Sequence, residues 1–313
     1  MKNAITASSD HTANDYQVCG RPRSKSRSDT GTSLAYKWVD DEGQTHLSDK
    51  PPSGHIASVI DMAGSKRDFT FEIQADGITL PITFQGQIAA GSKRIYDTWH
   101  FFLGENNLRQ SKIMLHVIGG PARFDAFHAK ASPGSKSVDG FYKPTKNVAY
   151  AKYYPKRPDR AVEISFHEIS HLITASHLGT TPPWLTEGLA EYFETMEVRG
   201  QGGTIHPNQA HLKLLKKSRL PGLHDFLDID RAQWSGPQRS LNYAAAWSLM
   251  HFLMQGAPGM YAVQEVVQQA HANFCKPFSA SAALNAAYPG GLQRLESDWR
   301  KWLRNNGAAI QQT

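Results

Sequence analysis

One stretch, AVEISFHEISHLITASHLGTTPPWLTEGLAEYFE over residues 161–194, restricts what this chain can fold into more than any other. It carries His167-Glu168-Ile169-Ser170-His171. Residues four apart share one face of a helix, so both imidazoles reach one ion, and Glu168 reaches a water held there. Thr180-Thr181-Pro182-Pro183 then ends that helix and starts another, with Trp184 and Leu185 in its first turn. On the second helix Glu187 and Glu191 share a face, and the small Gly188 and Ala190 are expected to admit the first helix closely. Leu189 and Phe193 supply a packing stripe. An antiparallel pair with two His on one helix and Glu on the other can encircle a tetrahedral ion.

Two residues compete to be the third ligand. His177 lies six past His171, the spacing of metzincin peptidases, but where those have a helix-ending Gly this chain has Thr174. On a continuing helix His177 sits about 240° round from His171 and points away from the ion. Glu187, on the second helix, is the better candidate. Its plain alternative, with Glu191, is an exposed acidic face.

WLTEGLAEYFE following HEISH resembles the gluzincin metallopeptidases, the clan of thermolysin and the alanyl aminopeptidases. The likeness is greatest to the bacterial peptidase-MA-like members and runs from about Ile113 to Leu303. It implies Zn2+ on His167, His171 and Glu187, Glu168 as general base, and Glu191 orienting a ligand His from behind. LNYAAAWSLMHFL resembles the helix on which the aminopeptidase branch carries Tyr-x-Lys-Gly, with Ala245-Ala246 in place of Lys-Gly. That implies Tyr243 as donor to the oxyanion, against the alternative of a buried Tyr on a packed helix; Tyr192 and His206 are weaker substitutes. The Gly-x-Met-Glu-Asn that holds a free amine in that branch is missing, and Gly140-Phe141-Tyr142-Lys143-Pro144 stands in its region. An endopeptidase is therefore expected, taking a peptide or protein substrate. Strand 147–154 is expected at the sheet edge, where an extended peptide can pair, as in gluzincins.

The rest of the chain frames this centre. Residues 1–33 are polar and are expected to be a disordered tail. AYKWVDDEGQTHLSDKPPSG reads as a hairpin stopped by Pro51-Pro52, the core of a small module over 34–62. Its Tyr36, Trp38, Asp40, Gly43, Ser48, Asp49, Pro51 and Pro52 resemble a bacterial envelope module of unknown function. Strands are expected at 69–73, 78–84, 113–118 and 147–154, with helices at 92–105 and 121–129. Beyond residue 200 only helices are expected, at about 207–218, 238–256, 258–273, 278–287 and 289–305. The expected fold is α+β: a thermolysin-like gluzincin domain over 66–313, its sheet-containing part at 66–160 and its helical zinc-binding part at 161–313, preceded by the short β module.

No apolar run is long enough to span a membrane. The chain starts without an apolar signal segment, so the envelope-like module is the one hint of location. Cys19 and Cys275 suggest no disulfide framework and no zinc knuckle, and a bond between them is not expected. A net charge of +6 raises nucleic acid, but the charge is scattered, with one tail cluster at Arg21, Arg23, Lys25 and Arg27; no nucleic acid is expected. The rival to a peptidase is a zinc-stabilised binding or scaffold protein of the envelope that turns nothing over. Nothing in the sequence fixes an oligomeric state.

Overall fold

Three short strands, Leu34–Val39 (β1), Thr45–Ser48 (β2) and Ser58–Asp61 (β3), pair antiparallel in the order β2-β1-β3. β1 and β2 form the expected hairpin, with Trp38 opposite His46. β2 ends at Ser48 and the sheet continues with β3, which joins the other side of β1; Pro51-Pro52, expected to stop the hairpin, lie outside the described residues. The computed structural model describes residues 19, 34–39, 45–48, 58–61, 69–108, 111–134, 138–200, 202–305 and 307. The tail expected over 1–33 therefore lies outside the described residues, apart from Cys19.

The main sheet has the order β4-β5-β7-β6, from Phe69–Asp76 (β4), Ser111–Gly119 (β5), Gly140–Lys143 (β6) and Val148–Tyr153 (β7). β4, β5 and β7 run parallel, while β6 returns antiparallel to β7 through the turn at Pro144. A parallel pair needs a long crossover. Helix Ile82–Leu103 (α1) supplies the first, and Pro121–Ala131 (α2) lies within the second. The strand expected over 78–84 is absent: Pro81 precedes the first turn of α1, which takes up residues 82–84. Phe84, Ile88, Ile95, Trp99 and Phe102 fall on one buried helical stripe, and that periodicity overrides the local alternation of ITLPITF. The expected sheet edge is also corrected. Residues 148–153 lie inside the sheet, between β5 and β6, and the edges are β4 and β6.

Helix Pro158–Leu178 (α3) packs on the sheet and on α1, with helix Pro183–Glu194 (α4) beside it. Nearly every residue of α3 from Ala161 onward is buried, as in a helix covered on all sides. On the other face of the sheet, α2 helps close a small cluster of Ile118, Phe124, Val138, Phe141 and Tyr150.

The C-terminal half is not wholly helical. Met196–Arg199 (β8) and Gly202–Ile205 (β9) form an antiparallel hairpin directly after α4. Helices Gln209–Leu215 (α5), Leu223–Leu227 (α6), Arg231–Trp234 (α7), Arg239–Leu253 (α8), Ala257–Ala272 (α9), Ala280–Ala287 (α10) and Gly291–Arg304 (α11) follow. α8 packs on α4, and there Gly188 serves a different neighbour from the one expected: a methyl on it would lie 3.1 Å from the Ala246 carbonyl oxygen of α8. The whole is an α+β chain, rich in helix, with a small mixed sheet. No helix among the described residues is long and apolar enough to cross a membrane.

Cys19 and Cys275 are joined by a disulfide, contrary to expectation. The bond packs on the turn between α3 and α4, where Thr180 Oγ1 is 3.3 Å from Cys19 Sγ. Gly179 occupies that turn at φ +73°, and a side chain there would meet Cys275 Sγ at 2.5 Å.

Candidate metal centre

α3 and α4 bring His167, His171 and Glu187 together, with donor atoms that all lie within 4.8 Å of one another. The Nε2 atoms of the two imidazoles are 3.0 Å apart. Glu187 Oε2 lies 3.7 Å from His167 Nε2 and 3.4 Å from His171 Nε2. A tetrahedral ion with bonds of about 2.0–2.2 Å separates its ligands by about 3.3–3.6 Å. The three edges bracket that value, so the donor set and its spacing fit one metal ion.

The electrostatics differ between the two imidazoles. Burial holds His171 well below the ordinary histidine range, helped by charge on His167 and Arg231. Burial also pushes His167 down, but the Glu194 carboxylate more than offsets it, leaving His167 at about 10. His171 is thus neutral as a ligand must be, and a metal taking His167 displaces a proton.

Glu168 is fully buried beside this group, next to the start of β6; a methyl on Gly140 would lie 2.8 Å from Glu168 Oε1. Tyr243, on α8, is also buried, and its phenol is pushed well above its usual range by burial and by the charge of Glu187. Arg239 lies over its ring at 5.6 Å. The centre is closed in this conformation: His167 and Glu168 are 0% exposed, Tyr243 1%, His171 and Glu187 2%.

Glu191 does not hydrogen-bond His167. It accepts from His211 Nε2 at 2.7 Å and stays 3.8 Å from His167 Nδ1. Glu194, one turn further on, accepts from His167 Nδ1 at 2.8 Å. Spacing held the clue, since Glu187, Glu191 and Glu194 form one i, i+4, i+7 stripe. Arg160, in the first turn of α3, pairs with Glu194, with Glu163 at 3.0 Å and with Asp139 at 3.7 Å. Burial pushes the Glu194 carboxyl up, but Arg160 and His167 more than offset it, leaving it at about 2. A cavity of about 1120 Å³ opens on this side, lined among others by Arg160, Glu191, Glu194, His206 and His211.

The remaining candidates lie elsewhere. His177 stacks on Trp99 at 5.2 Å and donates from Nδ1 to the Ile173 carbonyl at 2.9 Å. Tyr192 packs toward His251 at 6.0 Å, and His206 pairs with the exposed Glu197 at 2.9 Å.

No curated protein matches the chain. Residues 32–67 match a domain of unknown function, DUF4124, which covers the YxWxD and SDxPP stretch. Residues 165–270 match a second family, described as a protein of unknown function (DUF1570). The latter span contains His167, Glu168, His171, Glu187, Glu194 and Tyr243, and neither description names an activity, so the chemistry must be argued from the centre itself.

Proposed function

We propose that this chain is a zinc-dependent peptidase of the gluzincin kind, with a thermolysin-like catalytic domain, that hydrolyses internal peptide bonds. The observation that carries the reading is the set of 3.0, 3.4 and 3.7 Å edges among two imidazoles and a carboxylate, with a buried glutamate beside them on the same helix. Two nitrogens and one carboxylate oxygen suit zinc, and three protein ligands leave one position for reactants. Bound there, zinc would supply Lewis acidity, making a water acidic and a scissile carbonyl electrophilic.

The chain's own residues supply the rest. Glu168 accepts the proton of the attacking water and returns it to the leaving amine. Tyr243, kept protonated by burial and by Glu187, is a phenol able to donate to an oxyanion. Among the described residues β6 pairs only with β7, so its other edge can take an extended peptide. A peptide paired there would run past Gly140, whose lack of a side chain lets Glu168 pack directly against the strand.

A second reading draws on burial. A centre exposed by 2% or less fits a structural metal that braces the two helices of a non-catalytic envelope protein. A buried general base has no use in that reading. Metal analysis and a peptide-library assay separate the two. The peptidase reading expects about one zinc per chain, lost in His167→Ala, and Glu168→Gln keeping zinc while cleavage falls about 10²–10⁴-fold. Wild-type protein without zinc defeats both readings. Zinc with no cleavage of any library peptide leaves the structural one.

A further inference from the structure

The resemblance would give the support of the first ligand histidine to the acid four residues past Glu187. In this chain that acid, Glu191, is committed to His211 at 2.7 Å. We propose that Glu194, clamped by Arg160, is the positioning residue for the His167 imidazole. The inference rests on His167 being a metal ligand.

His167 Nδ1–H donates to Glu194 Oε2 at 2.8 Å, which leaves Nε2 as the atom for a metal and turns it toward His171 and Glu187. Glu194 is poorly suited to hold that aim alone. It is the last residue of α4, where a helix frays, and it lines the cavity of about 1120 Å³, where water competes for its carboxylate. Arg160 removes the freedom. It binds the other oxygen of Glu194 and is itself fixed by Glu163 at 3.0 Å and Asp139 at 3.7 Å. Asp139 is held in turn by the Tyr154 hydroxyl at 2.7 Å and by Lys152 at 3.5 Å. The aim of His167 thus passes from Glu194 at the end of α4 back to Arg160 in the first turn of α3, and on to the sheet. An arginine fork is needed for this, because it meets several carboxylates at once in a fixed plane.

The test measures zinc affinity of the full-length protein by chelator competition at one pH, with the melting temperature of the metal-free form recorded beside it. Glu194→Gln, which keeps the size and removes the charge, is expected to weaken zinc binding by about 10–100-fold. Glu191→Gln is expected to change it by less than about 3-fold, since that carboxylate serves His211. Arg160→Lys keeps the cation and loses the fork; it is expected to weaken zinc several-fold, and it stands in if Glu194→Gln does not fold. The proposal is overturned if Glu194→Gln or its stand-in lowers the melting temperature but leaves zinc affinity unchanged, or if Glu191→Gln has the larger effect. A wild type that binds no zinc defeats the peptidase reading instead, and is seen before any variant is compared.

Discussion

Around Nε2 of His167 lie a second imidazole at 3.0 Å and the Glu187 carboxylate at 3.7 Å, whereas around Nδ1 lie Glu194 at 2.8 Å and, behind it, Arg160. Both sides gather enough donors to be mistaken for a metal site, since His167, Glu191 and Glu194 also fall within 4.8 Å of one another. The difference is in what the donors already serve. On the Nδ1 side Arg160 neutralises Glu194 and His211 hydrogen-bonds Glu191, so both carboxylates are already partnered within the protein. On the Nε2 side the donor atoms converge at ligand spacing. Proximity of acids and imidazoles says little until each carboxylate has been traced to its cation.

Four changes probe that contrast. The largest effect is expected from Arg160→Met, which removes the guanidinium shared by Glu194 and Asp139; the cost is about 3–5 kcal/mol in urea unfolding of the metal-free chain. A smaller loss would show that water in the cavity already pays that debt. Cys19→Ser removes a bond remote from both sides of His167, joining residues 256 apart. It should cost about 2–4 kcal/mol by the same measurement and leave zinc affinity unchanged.

The third change concerns the outskirts of the Nδ1 side. His251 packs on Trp247 at 5.2 Å, which packs on His211 at 5.6 Å, and burial lowers His251 to about 4. Its unfolded value is about 6.5, so the unfolded chain takes up a proton that the folded one refuses. The sign follows: His251 costs nothing above pH ~6.5, and stability falls by up to about 3 kcal/mol as pH drops toward 4. His251→Leu should flatten that part of a stability–pH curve; an unchanged curve would clear His251. The smallest effect is expected from Gly140→Ala on the Nε2 side, where the new methyl meets Ile164 at 2.6 Å and Glu168 at 2.8 Å. It should cost about 1–3 kcal/mol in stability. Cleavage should suffer more than stability if Glu168 is the base.

Much of the centre was legible because it is local. His167 and His171 sit one helical turn apart, and the Pro-Pro turn brings Glu187 back within reach, so three side chains from 21 residues of sequence meet in space. The acid that hydrogen-bonds His167 lies one turn past Glu191. Glu191 and Glu194 lie on the same stripe, and only the position of His211, set by the Asn208 cap of α5, decides which of them is taken. Arg160 could not be read at all, since its partners Asp139 and Glu194 come from the sheet and from another helix. The run at 78–84 alternates like a strand, and its helical fate shows only when Phe84 is read together with Ile88, Ile95 and Trp99. The β8–β9 hairpin carried its own signal in the alternation of MEVR and the glycines after it, which the helical periodicity around it masked.

The bond between Cys19 and Cys275 has a consequence in time and in electrons. Its first cysteine is made 256 residues before its second, a gap of roughly 13–51 s at about 5–20 residues per second. Until α9 has been made and Cys275 has followed it, the Cys19 thiol has no partner, so the bond cannot close before then. Closing it then takes two electrons and two protons from the pair. The finished fold therefore needs an electron acceptor where it forms, which an oxidising compartment provides and a thiol-buffered cytosol does not.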